Sequence, residues 1–173
     1  MQNDFVQKSG ALYVKGAEQI VGTIEKILNK AKSAKLPIIY TMDWHKEDDD
    51  EFKRFNWPKH CVRNTPGAEI VRELAPRQFD GKVVKKLTYD AFSNPRMERL
   101  LKELNVNELY IVGVATEYCV KNTALSALRK GYKVVIVVDA VKSVTKEGGK
   151  LALDELSNAG AMLKSSEQVV VEL

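Results

Sequence analysis

Two stretches of the sequence place reactive side chains directly behind apolar runs. The first is Asp43-Trp44-His45, which follows the run Pro37–Met42. In an extended chain, residues two apart share a side, so the carboxylate and the imidazole emerge together. Such a pair holds a hard-to-borderline divalent ion when a third ligand comes from elsewhere. The only other histidine is His60, within Trp57-Pro58-Lys59-His60-Cys61. Taken alone, Asp-x-His is a weak signal, because a single histidine is more often a hydrogen-bonded structural residue.

The second stretch is Gly113-Val114-Ala115-Thr116-Glu117-Tyr118-Cys119, in which an apolar strand runs into an amphipathic helix expected to start near Tyr118. Cys119 then sits at a helix N-terminus. There the unpaired backbone N–H groups and the dipole favour thiolate, and the preceding turn offers donors to an oxyanion. A free cysteine is otherwise a small buried apolar residue. A phosphate-binding thiolate of the Cys-x5-Arg type would need arginine where the chain has Leu125, and there is no glycine-rich phosphate loop. Cys61, the rival thiol, lies in an irregular stretch and reads as structural.

The elements that position these residues follow an α/β rhythm. Strand-length apolar runs occur at Pro37–Met42, Lys82–Lys86, Glu108–Val114, Lys133–Ala140 and Gln168–Leu173. Helical spacing of Ile20, Ile24, Ile27, Leu28 and Ala31 marks Gly16–Lys35, with further helices expected over Met97–Leu104, Tyr118–Lys130 and Lys150–Leu163. Alternation of this kind implies right-handed βαβ crossovers and a doubly wound, mainly parallel sheet. Between the first two strands lies the long stretch Trp44–Asp80. Its acidic run Glu47–Glu51 reads either as a solvated excursion or as a supplier of ligands at the C-terminal rim of the sheet.

At 173 residues and 45% hydrophobic content, the chain has the size of one domain, spanning residues 1–173. The net charge of +4 is the remainder of 27 basic and 23 acidic side chains interspersed along the sequence, so no basic stripe suggests nucleic acid. No 18-residue apolar span or secretory signal is visible, which argues against a membrane partner. Two cysteines fall short of a disulfide framework and suit a reducing, cytoplasmic setting.

Together these motifs resemble the isochorismatase-like cysteine hydrolases, and within them the nicotinamidases. The resemblance rests on Met1-Gln2-Asn3-Asp4-Phe5, Asp43-Trp44-His45, Trp57 to Cys61 with Thr65-Pro66-Gly67-Ala68-Glu69, Lys86-Leu87-Thr88-Tyr89-Asp90-Ala91-Phe92, and Gly113 to Val120. It implies an isochorismatase-like three-layer α/β fold. Cys119 would be the nucleophile and Lys86 its charged partner, with Asp43, His45 and His60 as ligands of a divalent metal, zinc first and iron or manganese as alternatives. A cis peptide at Val114-Ala115 would aim the Ala115 and Cys119 amides at the oxyanion, and Phe5, Trp57 and Tyr89 would wall the pocket for an aromatic ring. Glu51 stands near the place of a further ligand. Lys85 competes with Lys86; neighbouring strand residues point to opposite faces, and the spacing to Tyr89 favours Lys86. The implied substrate is a small aromatic carboxamide, nicotinamide first, hydrolysed through a thioester in NAD salvage. Homo-oligomerisation stays open. The rival readings are a ureido or carbamoyl hydrolase of the same family, and a binding homologue without full activity.

One departure carries weight. In the resembled family an aspartate at the end of an apolar strand directly precedes residues like Met1-Gln2-Asn3-Asp4-Phe5, and here that position falls before Met1. The general base and the first, central strand of a 3-2-1-4-5-6 sheet are therefore expected to be missing from the chain as written. The expectation is that a natural chain extends upstream and that the form starting at Met1 is impaired. Asp4 lies past the strand end and reads as a turn or capping residue instead.

Overall fold

The structure is a computed structural model in which residues 1–76 and 81–173 are described. The expected α/β alternation is present. After the short helix α1 (Asn3–Val6) and a 3-10 turn at Ala17–Ile20, helix α2 (Val21–Ser33) leads into β1 (Ile39–Asp43). The chain continues through α3 (Asp50–Arg54), β2 (Lys82–Lys86), α4 (Pro95–Glu103), β3 (Glu108–Val114), α5 (Lys121–Arg129), β4 (Lys133–Lys142), α6 (Lys146–Asn158), β5 (Met162–Lys164) and α7 (Ser166–Glu172). Every strand pair is parallel, β1 with β2 and, separately, β3 with β4 and β4 with β5.

Strand β4 shows why the fold has helices on both faces. Its alternate residues Val135 and Val137 join a core cluster with Ile24 and Ile27 of α2, whereas Val134 and Ile136 join Ala124 of α5 and Leu156 of α6. A strand buried on both faces reads as a continuous apolar run, as Lys133–Ala140 does.

Among the described residues the sheet is divided in two. A cavity of about 690 Å³ separates β1 from β3, lined by both strands, by Ile27 and Leu28 of α2, and by Met97 and Leu101 of α4. The backbone groups of β1 and β3 that face it have no ladder partner among the described residues.

Two expectations need correction. Gln168–Leu173, read as the final strand, is helical to Glu172 within α7, and the final strand is Met162–Lys164, whose first two residues fall in the stretch expected as the end of the last helix. The β-branched run Val169-Val170-Val171 suggests a strand, but Ser165 and Gln168 form a complete capping box that starts a helix. Only Val169 of that run is fully buried, while Val171 is 85% exposed, as a helix with a single buried stripe allows. Of the two readings of Trp44–Asp80, the structure disfavours a plain excursion, since the stretch holds α3, a 3-10 turn at Pro66–Ala68, and single bridges from His45 to Val62 and from Gln2 to Ile70. Asp80, with the rest of 77–80, lies outside the described residues. No helix among the described residues is long and apolar enough to cross a membrane.

The divided sheet predicts unequal protection from hydrogen exchange. Amides of β4, flanked by strands on both sides, should exchange by at least about tenfold more slowly than those of β1 and β3 that face the cavity, because groups without a ladder partner open at little cost. Equal protection across all three strands would show that the cavity edges are paired in solution.

Candidate functional site

The site forms where the C-terminal ends of β1 and β3 meet the turn before α5. Parallel register places Asp43 opposite Lys86, so the two side chains project together at the rim. The Lys86 ammonium, 5% exposed, donates to the Asp43 carboxylate, to the Thr88 carbonyl at 3.0 Å and to the Cys119 sulfur at 3.4 Å. Lys85 points out to solvent, its Nζ 3.5 Å from the centroid of the Trp44 ring, so strand alternation separates the two lysines as expected. Burial works against the Lys86 charge, but Cys119 and Asp43 together raise its pKa above the ordinary lysine value. Burial also pushes the Cys119 thiol upward, and the Lys86 charge offsets only part of that.

Cys119 lies in a π-helical turn, Thr116–Val120, that continues into α5, so the helical path begins slightly earlier than the sequence pattern suggests. The Val114-Ala115 peptide is cis, as the resemblance implies. Just before it, Gly113 has φ of 110° at a register shift between β3 and β4, a left-handed conformation that a side chain would strain. Glu117 ties the turn to the segment after β4, its Oε1 accepting from the N–H groups of Val144 at 2.9 Å and Thr145 at 3.0 Å.

Beside the thiol, donor atoms of buried Asp43, His45 and His60 all lie within 4.8 Å of one another. The Nδ1 of His60 is 2.9 Å from the Pro58 carbonyl, and the Nδ1 of His45 is 3.1 Å from Asp49 Oδ2. Each of these oxygens is an acceptor placed to take an Nδ1–H, an arrangement that would leave the Nε2 lone pair for a ligand. Burial lowers the His60 pKa and so favours the neutral, ligating form. Two imidazoles and a carboxylate with open positions fit a borderline divalent ion such as zinc. Glu51 approaches the same corner, its Oε2 3.8 Å from His45 Nδ1 and its carboxyl pKa raised chiefly by burial.

Phe5, Trp57 and Tyr89 line a cavity of about 120 Å³ together with Asp43, His60 and Cys119. Trp57 and Tyr89 stand 5.7 Å apart, centroid to centroid. Tyr118, which sequence reasoning did not single out, completes the wall at 5.3 Å from Tyr89 and 6.0 Å from Trp57. Its position next to Cys119 is the signal that could have found it.

Gln2 was also missed as an individual residue. Its buried amide donates to the carbonyls of Asp43 at 2.7 Å and Ala68 at 2.9 Å, and accepts from the Asp43 N–H at 2.8 Å. It thereby acts as a substitute ladder partner at the end of β1. Nothing in a lone glutamine signals this before the fold is known. Asp4, expected as a turn or capping residue, instead lies inside α1, and its carboxylate ties distant segments together, accepting from the Cys61 N–H at 2.7 Å and the Ala11 N–H at 3.2 Å. Gly67 of the Thr65-Pro66-Gly67 motif allows that approach, since a Cβ there would come within 2.2 Å of Asp4 Oδ2. Cys61 is fully buried, and burial raises its thiol pKa strongly.

Comparison with known proteins places this geometry among relatives. The isochorismatase domain family matches residues 1–168. The nicotinamidase of Saccharomyces cerevisiae is 32% identical over 85% of this chain and 87% of its own length. The nicotinamidase of Escherichia coli is 30% identical over 94% of this chain and 90% of its own. The crystal structure of Pyrococcus horikoshii pyrazinamidase in complex with zinc superposes with a TM-score of 0.89 at 36% identity, covering 95% of this chain and 94% of that one.

The two thiols should differ in reactivity. Only thiolate reacts, so alkylation of each should accelerate as pH rises, with a half-maximum above the ordinary cysteine value. Cys119 should be labelled first, and Lys86→Met should move its half-maximum to still higher pH. Mass-spectrometric mapping that found Cys61 labelled first in the folded protein would contradict the site geometry.

Proposed function

The chain belongs to the isochorismatase family of hydrolases, and we propose that it is a metal-assisted cysteine amidohydrolase that converts nicotinamide to nicotinate and ammonia. The observation that carries this reading is the approach of Lys86 Nζ to Cys119 Sγ at 3.4 Å, beside the cluster of Asp43, His45 and His60. The small aromatic-walled cavity supports a single-ring carboxamide as substrate.

In this reading Trp57, Tyr89 and Phe5 hold the ring, and Lys86 acts as counter-ion to the Cys119 thiolate. The sulfur attacks the carboxamide carbon, and the Ala115 and Cys119 N–H groups stabilise the oxyanion. The proton given up by the thiol is held on Lys86 Nζ, and as the C–N bond breaks Nζ passes it to the nitrogen, so that ammonia leaves and a thioester remains. Water attacks the thioester and returns the thiol with release of the carboxylate. A divalent ion held by Asp43, His45 and His60, zinc first, supplies Lewis acidity at this end of the pocket when bound. Such a reaction would serve NAD salvage.

A second reading, a homologue that binds its ligand but turns it over slowly, draws on two features of the site. The carboxylate that Lys86 contacts is Asp43, itself in the metal cluster, while burial raises the thiol pKa. A ureido or carbamoyl compound is the alternative substrate class.

Ammonia release from nicotinamide separates these readings. Turnover should fall by more than about 1,000-fold in Cys119→Ala and by about 100-fold to 10,000-fold in Lys86→Ala. Elemental analysis should find less metal in His60→Ala than in wild type. No ammonia from nicotinamide alongside release from a carbamoyl compound would transfer the reading to that class. Equal metal content in wild type and His60→Ala would remove His60 from the metal site.

A further inference from the structure

The backbone of His45 is held from both sides: its N–H donates to the Cys61 carbonyl at 3.1 Å, and its carbonyl accepts from the Arg63 N–H at 2.9 Å. This parallel bridge fixes where the side chain leaves the chain but not how the imidazole is turned. The ring is 2% exposed, and its Nδ1 lies 3.1 Å from Asp49 Oδ2. The other Asp49 oxygen, Oδ1, accepts from the Glu51 N–H at 3.1 Å and caps helix α3. One carboxylate thus does two separable things. Glu51, at 3.8 Å from the same nitrogen, is outside hydrogen-bonding distance.

From this arrangement we infer that Asp49 is a positioning residue for the metal site, fixing the rotation and tautomer of His45 so that Nε2 is its ligand nitrogen. An ionised carboxylate is purely an acceptor, so a neutral imidazole facing it must carry its proton on Nδ1 and its lone pair on Nε2. Pro58 does the same for His60 through a carbonyl, which no side-chain change can remove. At His45 the task falls to a side chain that is only 20% exposed and is anchored by its capping bond. Ordered partners of this kind orient ligand imidazoles and raise their basicity.

The inference rests on Asp43, His45 and His60 forming a metal site, and its test keeps the two apart. Asp49→Ser retains an oxygen for the Glu51 N–H but does not reach His45. Asp49→Asn retains both the cap and the reach, but with its single oxygen on the cap it turns an NH2 group toward Nδ1. That donor favours the opposite tautomer, with the proton on Nε2 where the ligand lone pair is needed. Zinc affinity, measured on metal-free protein by competition with a chromogenic chelator, should weaken by about 10-fold to 100-fold in Asp49→Ser. It should weaken at least as far in Asp49→Asn. Thermal melting of the metal-free variants should stay near wild type because both keep the helix cap. Ring-nitrogen NMR shifts of metal-free wild type should report His45 protonated on Nδ1, and those of Asp49→Asn a shift toward Nε2. Zinc affinity within twofold of wild type in Asp49→Asn, or a wild-type His45 protonated on Nε2, overturns the inference. If the wild type takes up no zinc at all, the metal site itself is lost and the inference falls with it, an outcome distinct from equal binding by all forms.

Discussion

A buried ammonium is costly unless its surroundings replace the water it loses, and the site is organised around that requirement at Lys86. Its three partners come from three places: Asp43 at the end of β1, the Thr88 carbonyl just beyond β2, and Cys119 in the turn before α5. Two belong to the half of the sheet formed by β1 and β2, and the third follows β3. Since the two halves share no ladder among the described residues, side-chain links join them, this cluster at the rim and Thr123 and Ser126 of α5, which bond to Ala91 and Asp90, further along. Removing the lysine would leave Asp43 buried without its cation, so fold and chemistry are coupled at one side chain.

The same economy governs the carboxylates. Asp43 faces an ammonium and also belongs to the group that could hold a divalent ion, and it has two oxygens for two cations. Asp49 divides its oxygens between a helix cap and an imidazole. Gln2 uses both ends of its amide to hold the Asp43 backbone, which leaves that residue's side chain to be set by its charged neighbours. Each of these side chains divides its polar atoms between two partners or two ends of one backbone, as a site held without long regular elements requires.

Much of this was legible in the sequence, for identifiable reasons. Strands Lys82–Lys86 and Glu108–Val114 are read at their observed bounds, the second because its apolar run Leu109–Val112 leaves few alternatives and the first from the β-branched pair Val83-Val84. Strand alternation sets Lys85 and Lys86 on opposite faces and the spacing to Tyr89 selects Lys86, while the convergence of Asp43 and His45 follows from the same alternation. The C-terminal segment was misread because β-branched residues speak for a strand, whereas the capping box of Ser165 and Gln168 decides the local conformation. Gln2 and Asp49 were not singled out as site residues because their roles depend on partners 41 residues away and on a helix of five residues within the irregular stretch, neither of which leaves a periodic trace.

The division of the sheet bears on how the site holds its shape. A doubly wound sheet ordinarily fixes its rim by a continuous ladder, so that the strand ends move as one body. Here β1 and β3 flank an open cavity, and their relative placement near the rim depends on side chains and on packing through α2, α4 and the Gln2 segment. Elements with one unpaired edge lie at the low end of local stability, yet the atoms that must meet, Lys86 Nζ and Cys119 Sγ, sit on opposite sides of that division. The metal cluster differs in this respect. Asp43, His45 and His60 all come from β1 and the segment folded back on it, where the His45–Val62 bridge and the Gln2 amide supply backbone support. Opening of the cavity would therefore disturb the thiol–lysine contact before it disturbed the histidines, so ligand binding and turnover need not be lost together.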